Sequence, residues 1–188
     1  MRMLPLAGAM LATAAVPWCV CARDSITVAV SNYAGAPRPV LVFAVETARR
    51  AFLSAGIESR WVICDPGNCL KDLPAGTPWL ELLVMPRLVQ PLDAGVSHPA
   101  GYAMLGDIPH PRAYASYDAA QQAADGTLRP LYVVLGCIFV HETSHLLGLH
   151  HQPRGVMRAN LRTNDMDNTT SGRAFTAEEQ KQLRAAIP

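Results

Sequence analysis

Charge is sparse in this sequence. Only 16% of its 188 residues are Asp, Glu, Lys or Arg, and the formal net charge is +1. No basic block gathers the cations into a patch, so neither nucleic acid nor an anionic membrane surface has an electrostatic reason to be a partner. Dense aspartate loops of the calcium-binding kind are missing, as are internal repeats and linkers. No apolar run reaches the length a membrane-spanning helix requires, so no stable membrane span is expected. Cysteine is scarce, with five in all, and the placing of those five says more than their number.

The N-terminus reads as an address. Arg2 precedes the apolar run Leu4–Val16, and Val20-Cys21-Ala22 offers the small residues of a cleavage site, so residues 1–22 are expected to be a secretory signal peptide. A lipid anchor through Cys19 is disfavoured by the bulky Trp18 before it. Residues 23–188 then form a single domain, with enough apolar residues for a proper core. A secreted or periplasmic protein keeps its disulfides. Cys19 and Cys21 leave with the signal, while Cys64 and Cys69 flank Asp65-Pro66-Gly67-Asn68, a turn-former that brings them within bridging reach. Cys137 lies in the apolar run 131–140 with no partner left, and is read as a buried, inert thiol. Only Arg23-Asp24-Ser25 separate the signal from the first strand, so no inhibitory propeptide is expected.

Chemistry concentrates in the stretch His141-Glu142-Thr143-Ser144-His145-Leu146-Leu147-Gly148-Leu149-His150-His151. On a helix, His141 and His145 share one face and can grip a single metal ion. Glu142 falls one step round, where its carboxylate reaches a water on the open side of the metal without being a ligand. Gly148 lets the chain leave the helix by a positive-φ turn, which swings His151 back as a third ligand. Isolated histidines on a helix face are usually satisfied core groups; here the coincidence of several fixed positions favours metal. His150 and His151 are adjacent, and in extended chain only one can face the site; His151 is the one the spacing favours.

The pattern HExxHxxGxxH, followed by Gly155-Val156-Met157, resembles the signature of the metzincin zinc peptidases, with Met157 in the place of their Met-turn. The resemblance is specific over residues 131–157 and assigns no subfamily: Gln152 follows the third histidine where matrixins have serine, and Arg158-Ala159-Asn160 carries no metal-facing tyrosine. It implies an α+β fold: a mixed, mostly parallel five-stranded sheet, a backing helix, an active-site helix, and a small C-terminal subdomain with a terminal helix. It also implies Zn2+ as cofactor, an apolar floor at Met157, and an antiparallel cleft-edge strand at Tyr102, Ala103, Met104 and Leu105 that pairs with substrate backbone.

Taken in order, Ile26–Val30 is a β-branched first strand. The stretch from Pro37 to Ala55, closed by Gly56, is a surface helix over the sheet, with Val42, Val45, Phe52 and the alanines at helical spacing. Its Arg49-Arg50 pair is read as a solvated face. Ile57–Cys64 and Trp79–Met85 supply two more strands, and the strand-helix-strand order favours parallel pairing through a right-handed crossover. Residues 101–105 and 112–117 are expected as the fourth and fifth strands. His98 and His110, each flanked by proline, are expected to face solvent, and Tyr102, Tyr114, Tyr117 and Tyr132 to be packing residues. Pro130 opens a buried helix running to Leu149 with one polar face. Residues 158–172 are polar and turn-rich, the expected wall of a specificity pocket. Thr176-Ala177-Glu178-Glu179 is a capping box that starts a last helix reaching about residue 187.

The function so implied is an exported zinc endopeptidase, a monomer acting on proteins or peptides. Two other readings stand beside it: a secreted zinc-bearing binding domain with little activity, and a zinc amidase on cell-wall or small amide substrates.

Overall fold

The computed structural model describes residues 25–66, 71, 73, 78–88, 100–104 and 110–187. The expected signal peptide, Cys69, His98 and Leu105 lie outside the described residues. Among those described, the order is β1 (Ser25–Asn32), α1 (Arg38–Ser54), β2 (Glu58–Cys64), β3 (Leu80–Met85), β4 (Gly101–Met104), β5 (Arg112–Ser116), α2 (Tyr117–Thr127), α3 (Leu131–Leu146), α4 (Thr163–Thr170) and α5 (Ala177–Ala185).

The five strands form one sheet in the order β2-β1-β3-β5-β4. β1 pairs parallel with β2 and β3, and β3 parallel with β5; β4 alone runs antiparallel, at the outer edge of β5. This is the mixed, mostly parallel sheet that the resemblance implies. Helices cover one face, and the period-2 alternation of the strands shows it. Ile26, Val28 and Val30 of β1, Leu82 and Val84 of β3, and Ala113 and Ala115 of β5 all join the main core with the helices. Ala29 and Cys64 point the other way into a smaller cluster under Leu73 and Trp79.

α1 and α3 pack closely. A β-carbon on Gly136 of α3 would stand 2.8 Å from the Ala44 carbonyl oxygen and 2.7 Å from Thr47 Cβ, so glycine is what lets the two backbones approach. Phe139, wholly buried on α3, lies against Trp61 of β2 with ring centroids 6.2 Å apart. Truncating such a ring costs about 3–5 kcal/mol. The C-terminal segment has no core of its own: Met166, Phe175 and Leu183 belong to the main cluster. Arg184 clips it down by donating to the Ala55 carbonyl at 2.7 Å.

Several local expectations are corrected. The buried face of α1 is Leu41, Ala44, Thr47, Ala48, Ala51 and Phe52, and Val42 is exposed, because the alanines leave the apolar phase of the helix ambiguous. α1 lies against α3 as well as over the sheet. Tyr117 does not extend β5; Ser116 accepts the Ala119 N–H at 3.2 Å and caps a new helix. Helix α3 ends at Leu146 rather than Leu149, released through Gly148 at φ +85°. Residues 163–170 are helical rather than irregular. His110 does not simply face water: it is half-buried and stacks on Trp79, ring centroids 4.2 Å apart. The capping box at Thr176 and Glu179 forms in both directions, and α5 stops at Ala185.

Candidate metal centre and cleft

α3 is buried along its length from Val134 to Ser144, so its polar residues His141 and Glu142 sit in the interior. His141, Glu142 and His145 face the cleft from this helix. The chain then turns at Gly148, and Leu149 is buried while His150 stays exposed. His151 returns to the cluster, and His141, His145 and His151 form a group whose candidate ligand atoms all lie within 4.8 Å of one another.

The hydrogen bonds fix which nitrogen of two rings is free. His141 Nδ1 lies 2.7 Å from the Val156 carbonyl, and His145 Nδ1 lies 2.7 Å from the Leu149 carbonyl. A carbonyl can only accept, so each Nδ1 carries the proton and donates, leaving the Nε2 lone pairs facing inward when the rings are neutral. Neutral rings are favoured. Burial pushes the His141 pKa down to about 4 and lowers that of His145 as well. His141 Nε2 stands 3.0 Å from His145 Nε2 and 3.2 Å from His151 Nε2. Lone pairs at that separation repel unless a cation sits between them. Tetrahedral Zn–N bonds of about 2.0–2.1 Å place neighbouring nitrogens about 3.3 Å apart, so the histidine cluster fits zinc.

Glu142 lies against this cluster, 4% exposed, and its Oε2 has no hydrogen-bond partner. Burial raises its carboxyl pKa to about 8. An orphaned, buried carboxylate oxygen beside the three histidines is suited to take a proton from a water and not to serve as a structural acceptor.

Below the histidines, the turn that carries Val156 and Met157 is closed by Gln152 N–H donating to the Met157 carbonyl at 2.8 Å. Gly155 takes φ +79° there, and both Val156 and Met157 are fully buried. Sequence reasoning missed the residue that holds this turn. Asp165 of α4, 4% exposed, accepts from the Gly155 N–H at 3.0 Å and from the Arg162 N–H at 3.0 Å. Arg158 Nε also lies 3.0 Å from its Oδ2. Its only sequence signal is an acid at the third position of a helix that the polar composition conceals.

A cleft of about 800 Å³ opens beside the histidines. Gly101, Tyr102 and Ala103 of β4 form one rim; Ala123, Ile138 and Met166 belong to its largely apolar wall. Tyr102 and Met104 are more than a third exposed, and Tyr102 stacks on its cross-strand partner Tyr114 at 4.6 Å. Among the described residues Cys137 is the free thiol; it is fully buried, and burial pushes its pKa up to about 12.

No family model matches the sequence, and no curated protein is matched by it. Solved structures do match in shape. A zinc-dependent peptidase from Methanocorpusculum labreanum superposes with a TM-score of 0.55 at 18% identity, over 83% of this chain and 99% of its own. Archaemetzincin from Methanopyrus kandleri gives a TM-score of 0.56 at 15% identity, over 89% of this chain and 98% of its own. Metalloproteinase-II from Bacteroides fragilis gives 0.51 at 12% identity, over 88% of this chain but 54% of the other. Likeness at such identities is one of fold, and with the sheet order and the histidine helix it shows that this chain has a metzincin-like architecture, with no subfamily assigned.

Proposed function

We propose that the protein is an exported zinc-dependent endopeptidase. The observation that carries this reading is the convergence of three histidine nitrogens beside a buried, unpartnered carboxylate oxygen at the floor of an open cleft. His141, His145 and His151 would hold the metal through Nε2, and the Val156 and Leu149 carbonyls keep the first two rings oriented. Zinc held there supplies a Lewis acid that acidifies water and polarises the scissile carbonyl.

Glu142 acts as general base. It accepts the proton of the attacking water and then delivers it to the leaving amine, so that one water is consumed and one carboxylic acid and one amine are released. Met157 is an apolar floor and not a ligand. The outer strand β4 receives the extended substrate backbone along residues 102–104, which positions the scissile bond over the base. The apolar wall of Ala123, Ile138 and Met166 suits an uncharged side chain next to the cleaved bond.

Export rests on the leader at residues 1–22, and no helix among the described residues is long and apolar enough to cross a membrane. A Cys64–Cys69 disulfide and a monomeric state belong to the same reading. Digestion of casein and a peptide library by the purified zinc-loaded protein tests it. Internal cleavage that stops on chelation supports the endopeptidase. Release of small amides without peptide cleavage supports the amidase, and no turnover on either supports a binding domain.

A further inference from the structure

We propose that Gly101 is the positioning residue for the Glu142 carboxylate, which occupies the space that any side chain at that point of the cleft rim would fill; the inference rests on the role of Glu142 proposed above. A β-carbon built on Gly101 would stand 2.6 Å from Glu142 Cδ and 2.7 Å from Cγ, and would also collide with Oε1. Carbon atoms in comfortable contact are about 3.5–4.0 Å apart. The three nearest atoms to that β-carbon all belong to Glu142, so this side chain meets the collision first.

Two features separate Gly101 from the other glycines. Its φ is not positive, in contrast to Gly148 and Gly155, so the backbone itself makes no demand for glycine. Its crowding partner is also the end of a flexible side chain, whereas a β-carbon on Gly136 would meet the Ala44 carbonyl and a β-branched threonine. The strand cannot easily retreat, because Gly101 pairs in register with Ala115 and the neighbouring Ala100 carbonyl accepts from the Ser116 N–H at 2.8 Å. The carboxylate must therefore give way. With Oε2 unpartnered, no hydrogen bond to that oxygen would hold it in place.

The consequence is a substitution that displaces the base while sparing the fold and the metal. In the full chain loaded with zinc, Gly101→Ala should keep its zinc content and lower kcat by at least about tenfold, with KM within about twofold, since small misplacement of a reacting group carries rate penalties of that order. The non-kinetic readout is a double-mutant cycle of thermal stability in the metal-free protein. Gly101→Ala should lower Tm in the native background and have no such cost in the Glu142→Ala background, where the colliding atoms are gone. A native kcat in Gly101→Ala, or an equal loss of Tm in both backgrounds, overturns the proposal. Should Glu142→Ala itself retain native turnover, the base assignment falls, while the stability cycle still decides whether Gly101 and Glu142 contend for one space.

Discussion

Removing the Asp165 carboxylate should loosen the turn beneath the histidine cluster from outside that cluster. Asp165→Ala leaves the Gly155 and Arg162 N–H groups without their acceptor and Arg158 without its counter-ion. Hydrogen bonds to a charged group contribute about 1.5–3 kcal/mol each, and breaking a buried ion pair by deleting one partner costs about 3–5 kcal/mol. Arg158 keeps 25% of its side chain exposed and can rehydrate, which puts the expected loss near the lower end, about 3 kcal/mol. Against a typical domain stability of about 5–15 kcal/mol that is a large fraction. Asp165→Asn keeps the oxygen that faces Gly155 and should lose only about 1–2 kcal/mol. Urea unfolding of the metal-free variants reads both numbers. The Val156 carbonyl that orients His141 follows Gly155 directly, so zinc affinity should also fall by about 10–100-fold in Asp165→Ala, the usual scale for losing support behind a ligand. A loss below about 1 kcal/mol, with native zinc affinity, would refute the assignment of Asp165 as the anchor of the turn.

His151→Ala should weaken zinc binding on the scale of a lost ligand, while His150→Ala, whose side chain is exposed outside the cluster, should keep both metal and most activity; zinc titration reversing that order would make His150 the ligand. The metal-free protein should also lose stability as pH rises from 6.5 to 8. Glu142, raised from 4.5 to about 8, binds its proton more tightly folded than unfolded, and above 6.5 this is no longer opposed by His141, lowered from 6.5 to about 4. Denaturant titration across that range should show the decline, and Glu142→Gln should abolish it; a flat profile in the native chain would count against the buried state of the carboxyl.

The histidine helix was legible in the sequence because its information is local. His141 and His145 share a face by the helical period alone, and Gly148 marks the exit by its φ. The parallel sheet was legible from the strand-helix-strand order at residues 26–64, and the edge position and antiparallel direction of β4 followed from the family resemblance. What escaped was non-local or masked by composition. Helix α2 begins at the end of a strand-like run, and its start depends on the Ser116 cap. The run Ala44, Ala48, Ala51 fits several helical phases equally well, so the sequence alone does not separate Leu41, which is buried, from Val42, which is exposed. Asp165 reads as one more polar residue in a polar stretch, and its role exists only because the fold brings Gly155, Arg158 and Arg162 around it. Gly101 meets Glu142 where β4 packs against α3, a contact no window of sequence contains.

The most direct measurement of the central claim is zinc content and peptide hydrolysis in the same preparation of Glu142→Ala. In the proposed mechanism Glu142 is a base and not a ligand, so the variant should bind one zinc per chain as the native protein does, while turnover falls by at least about a hundredfold. Native-like hydrolysis by the zinc-loaded variant, or loss of the metal with the carboxylate, would contradict the account.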